Sequence, residues 1–207
     1  MKNKKNKKKS IKIILLITAI IFIIILISFI YKKMFKNSRN GDNMNSEQIV
    51  DYILNINSYK AKIYVETISN KNKNKYILNQ EYNTENGNIE EVVEPSNISG
   101  VKIIKQNNTL RIENNNLNLS EIFENYSELE NNHLDLSSFI NDYKNSSNSS
   151  YKEENNEIIM ETTNNNKYIK NKSLYIDKIS IKPIKLIITD NNQKSTINII
   201  YSEIELN

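Results

Sequence analysis

The segment from Ile13 to Tyr31, IILLITAIIFIIILISFIY, is an uncharged run framed by lysines on both sides, and no other stretch limits the fold of this chain as strongly. At about 1.5 Å per residue it makes a helix roughly 28 Å long, close to the thickness of a bilayer's hydrocarbon core. Each central Ile, Leu or Phe favours insertion by roughly 0.3 to 0.6 kcal/mol, and only Thr18, Ala19 and Ser28 dilute the sum. The run therefore predicts one transmembrane helix over 13–31. Lys2, Lys4, Lys5, Lys7, Lys8, Lys9 and Lys12 precede it, whereas Lys32, Lys33, Lys36 and Arg39 follow. By the positive-inside rule the basic tail 1–12 is cytoplasmic and the C-terminal part is extracytoplasmic. Ser28-Phe29-Ile30-Tyr31-Lys32 offers no small-residue cleavage site, so the helix reads as an uncleaved signal anchor in the cell membrane. The chain has no cysteine, which excludes lipidation at a lipobox, disulfides and thiolate metal ligation.

Lys2 to Lys9 could also serve as a nucleic-acid arm or a patch for anionic lipid. No aromatic residue is interleaved with them, and nucleic-acid binding needs more than charge, so they are read as the retention signal of the anchor. Of 28 lysines and arginines, 11 lie before residue 40 with no acid among them, which leaves 17 bases against 24 acids in the remainder. An extracytoplasmic part with a net charge near −7 does not suit nucleic acid.

After a polar linker over 32–44, residues 45–207 are enough for one domain with a core of its own. Ile49, Tyr52, Ile53 and Ile56 fall at helical spacing, with Asn45 or Ser46 as N-cap and Glu47 in the first turn. From Tyr59 the period changes to two: Tyr59, Ala61, Ile63 and Val65 alternate with Lys60, Lys62, Tyr64 and Glu66, the pattern of a strand with one buried face. Tyr76, Leu78 and Tyr82 share a face of a second strand, and a turn over Glu85-Asn86-Gly87-Asn88 leads to a third, Ile89 to Glu94. Val101 to Lys105 and Thr109 to Glu113 form a hairpin around Gln106-Asn107-Asn108. Leu117 to Phe123 reads as the entry to a short helix capped by Ser120, and Leu134 to Tyr143 as another helix with Leu136, Phe139, Ile140 and Tyr143 on one side. After a flexible stretch, Asn145 to Ser150, strands resume at 157–163, 167–170, 174–177, 182–190 and 194–206. Glycine is scarce, yet asparagine tolerates left-handed backbone and can make the turns.

About ten strands without crossover helices, with about three helices beside them, predict an α+β fold. In it a curled antiparallel sheet, a half-barrel, has helices plugging its concave side. Ile63, Val65, Ile103, Leu110, Ile112, Leu186 and Ile188 are the expected apolar residues of that concave face. Packed against helices they would be core; open to solvent they would accept a lipid or a partner's apolar segment.

Glu94-Pro95-Ser96-Asn97-Ile98-Ser99-Gly100-Val101-Lys102-Ile103-Ile104, then Asn108-Thr109-Leu110-Arg111-Ile112 and Leu117-Asn118-Leu119-Ser120, resemble the clostridial germination-lipoprotein family, the GerS-related proteins. The opening Ile53 to Ala61 and the closing Pro183 to Gln193 are similar to it too, so the likeness spans about 46–206. The resemblance implies a fold like the lipoprotein carriers LolA and LolB and a role in the spore envelope. It also implies partnership with the N-acetylmuramoyl-L-alanine amidase that modifies cortex peptidoglycan. The departure is the missing lipobox cysteine, whose place is taken by the transmembrane run.

Catalytic chemistry is hardly supported. His133 is the single histidine, set in a helix entrance, and is read as structural or solvated. The adjacent pairs Glu90-Glu91 and Glu153-Glu154 point to opposite faces of a strand and are read as solvated acids. There is no P-loop, G-x-G-x-x-G or metal-ligand spacing, so no cofactor and no metal are expected. Asn97-Ile98-Ser99 and Asn118-Leu119-Ser120 match the glycosylation sequon as an Asn-rich chain will by chance. Twelve tyrosines suggest glycan stacking, but most fall where strands ordinarily carry aromatics. The chain is thus expected to be a non-enzymatic, membrane-anchored binding or scaffold protein, the alternative being a carrier or sensor of acyl chains.

Overall fold

A computed structural model describes residues 44–106, 108–124, 134–163, 169–190 and 195–207. The run 13–31 expected to be a transmembrane helix, linker residues 32–43 and His133 lie outside the described residues. Among the described residues no helix is long and apolar enough to cross a membrane.

Helix α1, Ser46–Leu54, begins with a capping box: the Asn45 side chain accepts from the Gln48 amide, and the Gln48 side chain accepts from the Asn45 amide, both at 2.9 Å. Its Ile49, Val50 and Ile53 are buried. The chain then enters a sheet of eleven antiparallel strands: β1 Ser58–Ile68, β2 Lys73–Asn83, β3 Gly87–Glu94, β4 Lys102–Gln106, β5 Thr109–Asn114, β6 Leu119–Glu124, β7 Ser150–Glu154, β8 Glu157–Thr163, β9 Ile169–Asp177, β10 Lys182–Asp190 and β11 Thr196–Leu206. Their spatial order is β6-β5-β4-β3-β2-β1-β11-β10-β9-β8-β7. The chain thus steps outward from β1 to one edge, passes through helix α2, Leu136–Asn145, and steps inward from the other edge until β11 pairs with β1. The sheet is unclosed, with β6 and β7 at its ends.

Asparagine makes the turns that glycine makes elsewhere. Asn108, Asn118, Asn155 and Asn156 all have positive φ, which their short polar side chains tolerate. Gly87 is kept for a closer approach, because a Cβ there would meet the Lys105 carbonyl oxygen of β4 at 2.0 Å.

One face of the sheet carries both helices. Ile63 and Val65 of β1, Ile158 and Met160 of β8, Leu174 and Ile176 of β9, Leu186 and Ile188 of β10 and Ile199 of β11 pack there against α1 and against Leu136 and Phe139 of α2. Each such burial is worth roughly 1.5–3 kcal/mol, so this layer holds the fold together.

Three expectations about elements are corrected. Leu119 to Glu124 is strand β6 and not a helix capped by Ser120, so the described residues contain two α-helices. The stretch read as flexible ends in strand β7, and the segments read as separate strands at 167–170 and 174–177 are one strand, β9.

Candidate binding face

The ladder registers decide what the helix-bearing face presents. Val65 stands opposite Ile199, which stands opposite Leu186, while Ile63 stands opposite Leu78 and Val92 follows on β3. Outward along β2 to β6, the same face carries Gln80, Glu90, Ile103, Ile112 and Glu121 in one row and Tyr82, Asn88, Lys105, Leu110 and Phe123 in the next. All seven residues expected on the apolar face therefore lie on one side of the sheet, but they are not one surface. Ile63, Val65, Leu186 and Ile188 belong to the core under the helices. Leu110 is buried apart from it, Ile103 is half-buried, and Ile112 is 36 % exposed. Polar strand residues separate the two groups.

Those polar residues form a buried cluster at the N-terminus of α2. Asp135 caps that helix, its Oδ1 accepting from the Ser138 amide at 2.7 Å and from the Ser137 hydroxyl at 2.5 Å. Its Oδ2 lies 3.3 Å from the Lys105 ammonium, which is also 3.7 Å from Glu90. Gln80 donates to Glu90 at 3.2 Å. Glu90 is therefore not the solvated acid expected from the sequence: it is 7 % exposed because its face of β3 turns inward, and only Glu91 points out. Burial raises the Glu90 carboxyl above the ordinary range and the Lys105 charge opposes the rise. The Tyr59 and Tyr201 hydroxyls are pushed up by burial and by the Asp135 carboxylate.

A second buried pair fixes the body of α2. Lys172 of β9, 1 % exposed, contacts Asp142 at 2.6 Å and donates to the Ser138 hydroxyl at 3.1 Å. A serine beside a lysine suggests a nucleophile and its base. Here the lysine is ion-paired with Asp142 as well as donating to Ser138, and its side chain is buried, so the pair bolts the helix to the sheet. Among the described residues, no group of three or more His, Asp or Glu is placed to hold a metal.

Sequence reasoning missed the β6 edge. Leu119 and Ile122 are 60 % and 61 % exposed, with Phe123, Leu117 and Ile112 also exposed nearby. Among the described residues β6 pairs only with β5. A row of apolar residues on an unpaired edge can bind an added strand. On the opposite face of the sheet, a shallow cavity of about 530 Å³ is bordered by Tyr64, Ile77 and Ile200 with Lys75, Lys185 and Glu94 around it.

The family described as Sporulation protein YdcC-like matches residues 11–207. A search of curated proteins found no match. Among solved structures, an uncharacterised conserved protein from Thermus thermophilus is similar at 10 % identity, over 79 % of this chain and 88 % of that one, with a TM-score of 0.51, which shows the fold alone. A LolA superfamily protein from Nitrosomonas europaea is similar at 12 % identity, over 79 % of this chain and 94 % of that one, with a TM-score of 0.45. The GerS lipoprotein of Clostridioides difficile, solved in complex with the CwlD amidase, is similar at 21 % identity, over 78 % of this chain and 89 % of that one, with a TM-score of 0.44.

Proposed function

We propose, on the premise that this chain belongs to the YdcC-like family of sporulation proteins, that it is a non-enzymatic binding protein of the spore-forming cell. The helix at 13–31 tethers it to the membrane with the domain from residue 45 outside, and its partner is a cortex N-acetylmuramoyl-L-alanine amidase. One observation supports binding over chemistry: the buried charges of the inner face are paired with each other, Asp135 with Lys105 and Asp142 with Lys172, whereas Leu119, Ile122 and Phe123 at the β6 end are apolar and exposed. Buried, paired charges are not presented to a substrate, while an apolar edge gains by being covered. The amidase is named by the sequence likeness to GerS-related proteins, GerS itself being bound to the CwlD amidase in its solved complex.

The test is affinity purification of the tagged full chain from detergent-solubilised sporulating cells, with the cortex amidase detected by antibody. Recovery of the amidase, lost when 44–207 is deleted, is the expected result; absence of the amidase at every stage of sporulation rejects the partner. Protease added to intact protoplasts should digest the domain, and protection of the domain would reverse the topology. The acyl-carrier reading is favoured by Ile112 and Phe123, which are exposed on the helix-bearing face. A fluorescent fatty acid that binds the full chain stoichiometrically and is expelled by Phe123→Glu would support it.

A further inference from the structure

We propose that β6 is a docking edge for an extended basic segment of a protein partner, which joins the eleven-stranded sheet as one more strand. This rests on the reading above that the protein works by binding another protein.

The two edges of the sheet are built in opposite ways. β7, SYKEE, is exposed along its length, but two of its three charges are engaged: Lys152 lies 3.7 Å from Glu161, and Glu153 lies 2.5 Å from Lys178 and accepts from the Ser46 hydroxyl that opens α1. Charged side chains held over an edge discourage added strands. β6, LSEIFE, is equally exposed and carries no lysine or arginine. Its two charges, Glu121 and Glu124, make no ion pair among the described residues, and the Arg111 guanidinium of the adjoining strand is engaged by Glu113 at 3.3 Å.

Alternation then specifies the incoming strand. On the helix-bearing face β6 presents Leu119, Glu121 and Phe123; on the other it presents Ser120, Ile122 and Glu124. Directly opposed residues on neighbouring strands are about 5 Å apart, where opposite charges stabilise and like charges destabilise. The complementary segment therefore carries an apolar residue against Leu119, a lysine or arginine against Glu121 and an apolar residue against Phe123, with a second basic residue near Glu124. A second copy of β6 would instead bring four glutamates together with no cation among them.

The test uses the full chain in neutral phosphatidylcholine nanodiscs and two fluorescein-labelled heptapeptides: Thr-Lys-Val-Val-Lys-Thr-Val, which in antiparallel register sets valine against Leu119 and Phe123 and lysine against Glu121 and Glu124, and the same peptide with both lysines replaced by glutamate. Fluorescence anisotropy should show binding of the lysine peptide only, weakened by 0.5 M salt. Ile122→Lys and the double variant Glu121→Lys, Glu124→Lys should each weaken it by ~10-fold or more, with thermal unfolding unchanged because these side chains are exposed. Tyr151→Lys on β7 should leave it unaltered. Equal binding of the glutamate peptide, equal loss with Tyr151→Lys, or binding indifferent to the β6 variants overturns the proposal. So does a dimer of the chain that Ile122→Lys dissociates. The two readings fail separately. An amidase that co-purifies equally with Ile122→Lys leaves the proposed function standing and removes this edge; lysine-peptide binding lost with Ile122→Lys, but without any amidase, does the reverse.

Discussion

The inner face of this sheet has two halves that are solved by different physics. Over β1 and β8 to β11 it is mainly apolar, with the Lys172–Asp142 pair set within it, and closed by α1 and α2. Over β2 to β6 it passes through buried Gln80, Asn88 and Glu90 and ends on exposed Ile112, Leu119 and Phe123. The first half is stabilised mainly by area removed from water, with one directional pair, Lys172 and Asp142, inside it. The second depends on directional pairs and leaves apolar surface in solvent, a poor arrangement for stability and a good one for recognition. Helix α2 is the boundary between them: Asp135 at its start reaches Lys105 of β4, and Asp142 within it reaches Lys172 of β9. The comparison teaches that the chain spends its apolar residues on holding one half together and exposes its remainder at one edge.

If that division is right, the closed half should show the largest losses. Phe139 is fully buried between α2 and the sheet, so Phe139→Ala should cost about 3–5 kcal/mol through transfer and cavity terms, read by urea unfolding. A cost below about 1 kcal/mol would mean that the helix does not seal the core. Lys172→Met should be nearly as damaging, about 3–5 kcal/mol, because it leaves the Asp142 carboxylate without its cation. Adding Asp142→Leu should recover much of that loss, and failure to recover it would show that the pair has a role other than mutual neutralisation.

The polar half should respond to pH. Glu90 faces Gln80 of β2, Lys105 of β4 and, across the α2 terminus, Asp135, with Tyr59 and Tyr201 beside them. Its carboxyl is raised by burial, so the folded protein holds that proton more tightly than the unfolded chain. Its contribution to stability is complete below the unfolded pKa and is lost as pH rises through the folded one. Glu90→Gln keeps the shape without the titration. It should flatten the fall in stability between about pH 4 and pH 7 compared with the parent protein, read from unfolding midpoints at the two pH values. An identical pH profile in the variant would place the titration elsewhere.

What the sequence disclosed follows the same division. Where one face is buried and the other wet, periodicity is a direct record of burial, so Tyr59, Ala61, Ile63 and Val65 could be assigned to the core by alternation, and Leu136, Phe139 and Ile140 by helical spacing. β6 is exposed on both faces, so no burial pattern marks it, and Leu119, Ile122 and Phe123 fall at the i, i+3, i+4 spacing of a helix around an apparent cap, Ser120. β7 is hidden for the same reason, as an edge strand with no buried side. Glu90 was illegible because its partners, Gln80, Lys105 and Asp135, arrive from other elements. Nothing within a few residues of it distinguishes a paired buried acid from a solvated one.

The smallest effect is the sharpest test of where the open half begins. Placing Ile112 on a buried concave face would make Ile112→Asp cost several kcal/mol, because it would bury an unpaired charge. The register sets Ile112 opposite Glu121 of the edge strand, and its side chain is 36 % exposed. The new carboxylate would remain hydrated, with mild repulsion from Glu121. Ile112→Asp should therefore lower stability by about 1 kcal/mol or less, and less still in high salt, which screens that repulsion. A salt-insensitive loss of several kcal/mol would show that something covers this end of the face and that the two halves are closed alike.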